Sequence, residues 1–196
     1  PWMSGCQMAD GRLLLAASPR PTGSAFAASE IGVNPAASDS LDHPILRIRA
    51  VGWFAQQTAL YQADDTTCVI APVFHREFAL VDRLDRISPA SGVEELPPAE
   101  METERNGKSI TYSMARGARG AHRGAATWRN QLLMLAEGTT SLKDRLLDIY
   151  SRDDLSYRGT IVLPFRSHRI ATRGDTLAVI AEDEDVLFLA LYLLVP

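Results

Sequence analysis

The segment Val-Leu-Phe-Leu-Ala-Leu-Tyr-Leu-Leu-Val, at Val186–Val195, has no polar face. A strand of this kind must be covered on both sides, either inside the fold or by another subunit, so we expect a central strand rather than an edge strand. A buried helix is the alternative, but the short length, the acidic residues before the run and Pro196 after it favour a strand. A membrane span would need about 20 apolar residues, and none is expected here.

Two other apolar runs of strand length lie upstream, at Thr160–Phe165 and Thr176–Ala181. Arg173-Gly174-Asp175 separates them, and four acids at Glu182–Asp185 follow the second. Gly174 can take a positive φ at a turn, and consecutive acids need water. The end of the chain is therefore predicted to form consecutive strands.

The composition is that of an ordinary globular protein. The 196 residues are 46% hydrophobic and 22% charged, which is enough to bury one core. The net charge of −4 argues against a wholly basic nucleic-acid-binding protein. Cys6 and Cys68 are too few for a disulfide framework or a cysteine metal site, and they suit a reducing compartment or a single bridge equally well. The apolar run Leu13–Ala17 is too short for a signal-peptide core, so the sequence leaves the location open.

The N-terminal part differs in composition from the rest. Ser18–Pro44 is rich in Ala, Ser, Pro and Gly and leaves no room for a regular element between its prolines and glycines. We predict that residues 1–44 form an extended low-complexity arm that lies along another surface or another subunit. Residues 45–196 are predicted to form a single globular β-rich domain.

The middle of the chain is predicted to contain both strands and helices. Alternation at Ile45–Phe54 and apolar runs at Ala59–Tyr61 and Thr67–Phe74 indicate strands. Apolar residues between Phe74 and Ile87 recur at spacings of three and four, which favours an amphipathic helix over a continued strand. Two more helices are predicted at Trp128–Leu135 and Leu142–Tyr150, the second one capped by Thr139–Ser141. The predicted class is α+β, with an antiparallel sheet or sandwich-like body and two or three inserted helices.

Charge is distributed unevenly along the chain. Five glutamates lie in the predicted loop Ser91–Glu104, whereas 105–136 carries six positive charges and no acid. Flexible glycine backbone with guanidinium groups suits phosphate. The candidate polyanion- or phosphate-binding residues are Arg116, Arg119, His122 and Arg123. A solvated loop, a loop paired with the preceding glutamates and a subunit contact are the alternatives, because no known phosphate-loop motif is present.

No catalytic residue, metal site or cofactor is predicted. His43, His75, His122 and His168 lack metal-ligand spacing, and no nucleophile motif occurs. Folding could bring His75 to Glu77 and His168 to Asp175. Asp82 and Asp85, with Arg83 and Arg86 beside them, are interpreted as a salt-bridged helix face.

Two classes of function remain. The first is a non-enzymatic structural or assembly subunit of a larger homo- or hetero-oligomer, whose partners are other copies or neighbouring subunits and, through the basic loop, nucleic acid. The pattern at the C-terminal end resembles strand pairs of jelly-roll shells, so a virion-like component fits this class. The alternative is an enzyme or binding module for a phosphate-bearing small molecule, with His75 or Asp82 as acid or base.

Overall fold

A computed structural model describes residues 2–7, 11, 13–17, 31–33, 58–82, 86–93, 101–114, 120–138 and 142–195. These residues form sixteen β-strands joined by turns, and none of them lies in a helix. Within each sheet, every strand pairs with its neighbour in the sequence. The result is four antiparallel sheets and one separate hairpin.

The first sheet contains β1 (Trp2–Gln7), β2 (Leu13–Ala17) and β3 (Ile31–Val33). The second contains β4 (Thr58–Asp64), β5 (Thr67–Pro72), β6 (Glu77–Asp82) and β7 (Ile87–Ser91). The hairpin consists of β8 (Met101–Asn106) and β9 (Ser109–Met114). The third sheet contains β10 (His122–Trp128), β11 (Gln131–Ala136), β12 (Leu146–Ser151) and β13 (Tyr157–Val162). The fourth contains β14 (Arg166–Arg173), β15 (Thr176–Asp183) and β16 (Val186–Leu193).

The four sheets are stacked face to face in chain order, with an apolar layer between each pair. Cys6 and Leu14 of the first sheet pack on Cys68 and Ile70 of the second. The layer between the second and third sheets includes Val69, Ala71, Phe78, Leu132, Met134 and Tyr150. The layer between the third and fourth includes Leu133, Leu135, Leu147, Leu177, Val179 and Ala181. Alternate residues of β5 and β11 thus enter opposite layers, as the period of a strand requires.

Contacts between sheets run through their first strands. β1 contacts β4, β4 contacts β10, and β10 contacts β14. These strands lie side by side, and each sheet extends away from them in the order in which its strands follow in the sequence. Radial repetition of four-stranded antiparallel sheets is the arrangement of blades in a β-propeller. The described part of the body is therefore an array of blade-like antiparallel sheets, so the predicted β-rich character is confirmed and the predicted α+β class is wrong.

A disulfide connects the first two sheets. Cys6 of β1 and Cys68 of β5 are buried and bonded to each other, 62 residues apart in the sequence. Of the two alternatives that the sequence left open for these cysteines, the structure contains the single bridge.

The predicted helices are wrong. Glu77–Asp82 and Ile87–Ser91 are two separate strands, Trp128–Leu135 covers a hairpin with its turn at Arg129-Asn130, and Leu142–Tyr150 is a turn followed by β12. The reason is burial on both faces. Consecutive apolar residues such as Leu132–Leu135 enter the two layers on either side of one sheet, and a short run of this kind has no periodicity that separates strand from helix.

The expected strands at the C-terminal end are confirmed in position. β15 and β16 match Thr176–Ala181 and Val186–Val195, and β13 ends at Val162 within the predicted Thr160–Phe165. The expectation that Val186–Val195 lies centrally is wrong for the described part of the chain, where β16 is the edge strand of its sheet and has one exposed face.

The structure describes only part of the proposed N-terminal arm. Within residues 1–44 the described segments form β1, β2 and β3, and β1 is bonded to the second sheet. The predicted strand at Ile45–Phe54 and most of Ser18–Pro44 lie outside the described residues. The domain boundary at residue 44 stays a prediction.

Candidate functional site: the open face of the fourth sheet

The two faces of β16 have different environments although both are apolar. Phe188, Ala190 and Tyr192 pack against the core between the third and fourth sheets. The alternating leucines point the other way, and their exposed fractions are 64% for Leu187 and Leu189, 65% for Leu191 and 74% for Leu193. An apolar row with this exposure, outside a packed layer, is unusual in a soluble domain.

The register of the sheet extends this row into a surface. Leu189 pairs with Ile180 and Leu191 with Ala178 of β15, and Ala178 pairs in turn with Ala171 of β14. We call this surface, made of the outward residues of β14, β15 and β16, the open face. Seven of the twelve exposed large apolar side chains of the described residues lie in the fourth sheet or directly after it, so the open face is the main apolar surface.

Charged side chains border the open face on the side of β14. Arg169 pairs with Ile180, and Arg173 pairs with Thr176, so both arginines share the outward face with the leucines. Arg169 donates to the carbonyl oxygens of Arg123 and His168 at 3.0 and 2.9 Å. An apolar centre with a polar border is the composition of a protein interface.

The edge of β16 is also open. In the second and third sheets a fourth strand pairs with the third, whereas β16 pairs only with β15 within the described part of the chain. An edge strand that exposes its backbone groups can accept another strand.

Two of the four candidate phosphate-binding residues, Arg116 and Arg119, lie outside the described residues. His122 is the first residue of β10 and is buried, with its ring packed edge-on against Phe78 at 5.6 Å. Burial lowers the pKa of His122 to about 4, even though its Nε2 lies 3.1 Å from the carbonyl oxygen of Arg76. It is therefore neutral at pH 7 and adds no positive charge for a phosphate.

Arg123 is held by acids that follow it in the sequence. Its Nε lies 2.9 Å from Oδ1 of Asp144, which is fully buried, and its Nη2 lies 3.5 Å from Oε1 of Glu137. The N–H of Nε does not point at the Asp144 oxygen, so the contact is an ion pair rather than a well-formed hydrogen bond. Among the described residues, the acids that pair with Arg123 are therefore Glu137 and Asp144, which follow it in the sequence.

A network of ion pairs extends from Asp144 to the fourth sheet. Arg166 lies 3.3 Å from Asp144 and 3.8 Å from Glu182, and His168 lies 2.6 Å from Glu182. His168 thus meets Glu182 rather than Asp175, which accepts a hydrogen bond from Trp128 at 2.8 Å. Sequence reasoning missed Glu137 and Asp144, because their partners lie on other strands and nothing in the local sequence marks the pairing.

The remaining candidate residues are separated. His75 lies in the turn before β6, where burial lowers its pKa and the charge of Glu77, close by as expected, partly opposes that effect. Asp82, the last residue of β6, and Arg86, the residue before β7, form an ion pair rather than a pair on a helix face, and Asp85 lies outside the described residues. His75 and Asp82 flank opposite ends of β6, so no acid and base pair forms there.

A polar cavity of about 410 Å³ lies where β4, β10 and β14 end. It is lined by Ala63, Asp64, Asp65, Thr127, Arg129, Thr172, Gly174 and Asp175. Burial opposes ionisation of Asp64, but hydrogen bonds from Thr66 and the charge of Arg152 outweigh it and lower its pKa. The hydrogen bond from Trp128 lowers the pKa of Asp175, with Arg129 adding to the effect. These carboxylates are satisfied by protein groups and hold the turns together.

The described residues contain no cluster of three His, Cys, Asp or Glu side chains that could hold a metal ion. None of the described segments forms a helix long and apolar enough to cross a membrane.

No protein-family model matches the sequence, and no curated protein matches it significantly. Among solved structures, hydrazine synthase from Kuenenia stuttgartiensis aligns with a TM-score of 0.55 at 9% identity, over 97% of this chain and 45% of that one. Glutaminyl cyclase from Myxococcus xanthus aligns with a TM-score of 0.42 at 8% identity, over 91% and 60%. This chain thus spans less than half of the hydrazine synthase chain, and the likeness to that chain shows the fold alone.

Proposed function

We propose that the protein is a non-enzymatic assembly module that joins another β-sheet through the open face of its fourth sheet. The observation that carries this proposal is the exposure of four leucines in one row, Leu187, Leu189, Leu191 and Leu193. In contrast, the apolar side chains of the three layers between the described sheets are buried.

The energetics favour covering this row. Full burial of a leucine side chain contributes about 1.5–3 kcal/mol, and each leucine of the row is still about two-thirds exposed. The four together would contribute roughly 5 kcal/mol before the entropic cost of association. That gain is available only when an apolar surface meets the row.

A phosphate-binding function has less support. Arg123 would have to leave Asp144 and Glu137 to bind a phosphate, and His122 is neutral and buried. Separating Arg123 from Asp144 would leave a fully buried carboxylate without this partner. Polyanion binding by Arg116 and Arg119 stays a prediction.

The mass of the native particle, isolated gently from its source, tests the proposal. We expect a mass well above that of one copy of its polypeptide, as measured on the same sample under denaturing conditions. Replacing Leu189 and Leu191 by Glu should reduce it to that of one copy, because charge on the row opposes burial. Ile110→Glu on the β8–β9 hairpin is the matched control, since Ile110 is exposed far from the open face in sequence and should leave assembly unchanged. A native particle with the mass of one chain would refute an assembly role.

A further inference from the structure

We propose that the layer between the second and third sheets contains a binding site for one internal water molecule, held between Nδ1 of His122 and the carboxylate of Asp148. The site lies apart from the open face, so it does not depend on the proposed assembly function. Its ligand class is a small, neutral hydrogen-bond donor.

The register of the third sheet brings the two polar side chains together. His122 of β10 pairs with Ala136 of β11, and Asp148 of β12 pairs with Met134, two residues before Ala136. Met134 packs in the layer between the second and third sheets, so this face of the third sheet is turned toward the second sheet. Ala136 has only a methyl group as its side chain, and it lines a small cavity together with His122 and Asp148.

The second sheet closes the cavity from the opposite side. Arg76, Gly92 and Val93 form that wall. Gly92 donates its N–H to the carbonyl oxygen of Arg76 at 2.7 Å, and a Cβ added at Gly92 would lie 3.3 Å from Cε1 of His122. The edge of the imidazole ring that carries Cε1 therefore faces this wall.

The size of the cavity limits its ligand. Its volume of about 10 Å³ is close to the roughly 10–15 Å³ that one water molecule needs. A nucleotide, a sugar or another organic ligand does not fit. The described residues around His122 and Asp148 also supply no third imidazole or carboxylate to complete a metal site.

The protonation of His122 determines which ligand it can bind. Nε2 lies 3.1 Å from the carbonyl oxygen of Arg76, which accepts hydrogen bonds and cannot donate them, so the proton of the neutral ring is on Nε2. Nδ1 is then an acceptor. It is buried, and it has no hydrogen-bond partner among the described residues. Buried polar atoms are normally paired with protein or with ordered water, so Nδ1 calls for a donor.

Asp148 supplies a second acceptor to the same cavity. Its side chain is buried, and one of its oxygens accepts a hydrogen bond from the hydroxyl of Thr160. A carboxylate can accept several hydrogen bonds at once. Two acceptors that face one cavity disfavour an anion, and they match the two O–H groups of one water molecule.

A crystal structure of the chain, from crystals grown without ammonium salts, tests the occupant. We expect one water molecule at about 2.7–3.2 Å from both Nδ1 of His122 and a carboxylate oxygen of Asp148. A cavity without electron density, a cavity filled by a side chain, or a metal ion at coordination distance would overturn the proposal.

Nuclear magnetic resonance of the wild-type chain tests the site in solution. We expect the imidazole proton of His122 on Nε2 and a nuclear Overhauser effect between water and the proton on Cε1. A proton on Nδ1 instead, or no such effect, would refute the bound water.

A pair of alanine variants locates the water. Ala136→Val fills the cavity and should abolish the effect at His122. Ala171→Val, at an exposed alanine of β14, is the matched control and should retain it. Persistence of the effect in a folded Ala136→Val chain would place the water elsewhere and overturn the proposal. If that variant does not fold, the wild-type measurements decide.

Discussion

β11 and β16 are both apolar on two faces, yet one is fully enclosed and the other is half open. Leu132, Leu133, Met134 and Leu135 of β11 are completely buried between the second and fourth sheets. In β16 only Phe188, Ala190 and Tyr192 reach a core. The difference shows that the residue pattern determines which faces need cover, whereas the neighbouring sheets determine which faces receive it. β16 therefore has an apolar composition like that of β11, but only one of its two faces is covered by a described sheet.

The largest contrast is expected from removing a buried leucine. Leu133→Ala should lower the free energy of unfolding by about 3 kcal/mol, because it removes apolar contacts and leaves a cavity between the third and fourth sheets. Urea denaturation monitored by circular dichroism measures the change. A loss below about 1 kcal/mol would mean that the third sheet is not enclosed.

A smaller contrast is expected from pH, because enclosure also suppresses the charge of a histidine. The pKa of His122 is about 4 in the folded protein, against 6.5 for an ordinary histidine. Below pH 6.5 the histidine binds a proton in the unfolded chain but not in the folded chain. The contribution of His122 to the free energy of unfolding is therefore fully present above pH 6.5 and is lost as the pH falls toward 4. Between pH 7 and pH 5 the loss should be about 2 kcal/mol.

Urea unfolding of the wild type and of His122→Gln at several pH values isolates this effect from that of the carboxylates. Glutamine stays neutral, so the wild type should lose more stability than the variant on acidification. Equal pH dependence in the two proteins would show that His122 is accessible to protons in the folded state.

The smallest effect is expected at the open face. Leu191→Ala should change the unfolding free energy of the monomer by less than about 1 kcal/mol, since its side chain is 65% exposed. Urea unfolding at low protein concentration gives this value, and a loss like that of Leu133→Ala would mean that Leu191 is already packed.

Strands were predictable where the sequence marks both their ends. Two of the four acids, Glu184 and Asp185, form the turn between β15 and β16, and the turn Asp65-Thr66 lies between β4 and β5, close to the acids Asp64 and Asp65. Where a run is apolar throughout, as in Leu132–Leu135, the strand was mistaken for a helix, because burial on both faces removes the alternation. β14 was missed, because most of its residues are polar and only Ile170 and Ala171 are apolar, so the strand has no apolar run.

The sequence predicted that the C-terminal strand needs cover on both faces, but it did not locate the candidate site. The absence of a polar face in Val186–Val195 predicted that both faces need cover, by the fold or by another subunit, but not which face stays open. That depends on the third sheet, which reaches β16 from one side alone. The partners of Arg123 were equally hidden, because Asp144 and Glu137 meet it only through the pairing of separate strands.

The pairing of sequence neighbours throughout the sheets has a consequence for how the chain folds. Several hairpins close over only two residues, such as Arg129-Asn130 between β10 and β11 and Gly174-Asp175 between β14 and β15, so their contacts form quickly and do not depend on distant segments. During synthesis the second sheet can form before the third is made, and each later sheet meets a completed surface as it emerges. The bond between Cys6 and Cys68 is the one covalent link between segments made far apart, across 62 residues. The chain is thus built in the same order in which it is stacked, and oxidation of that bridge is expected to be a slow step of folding.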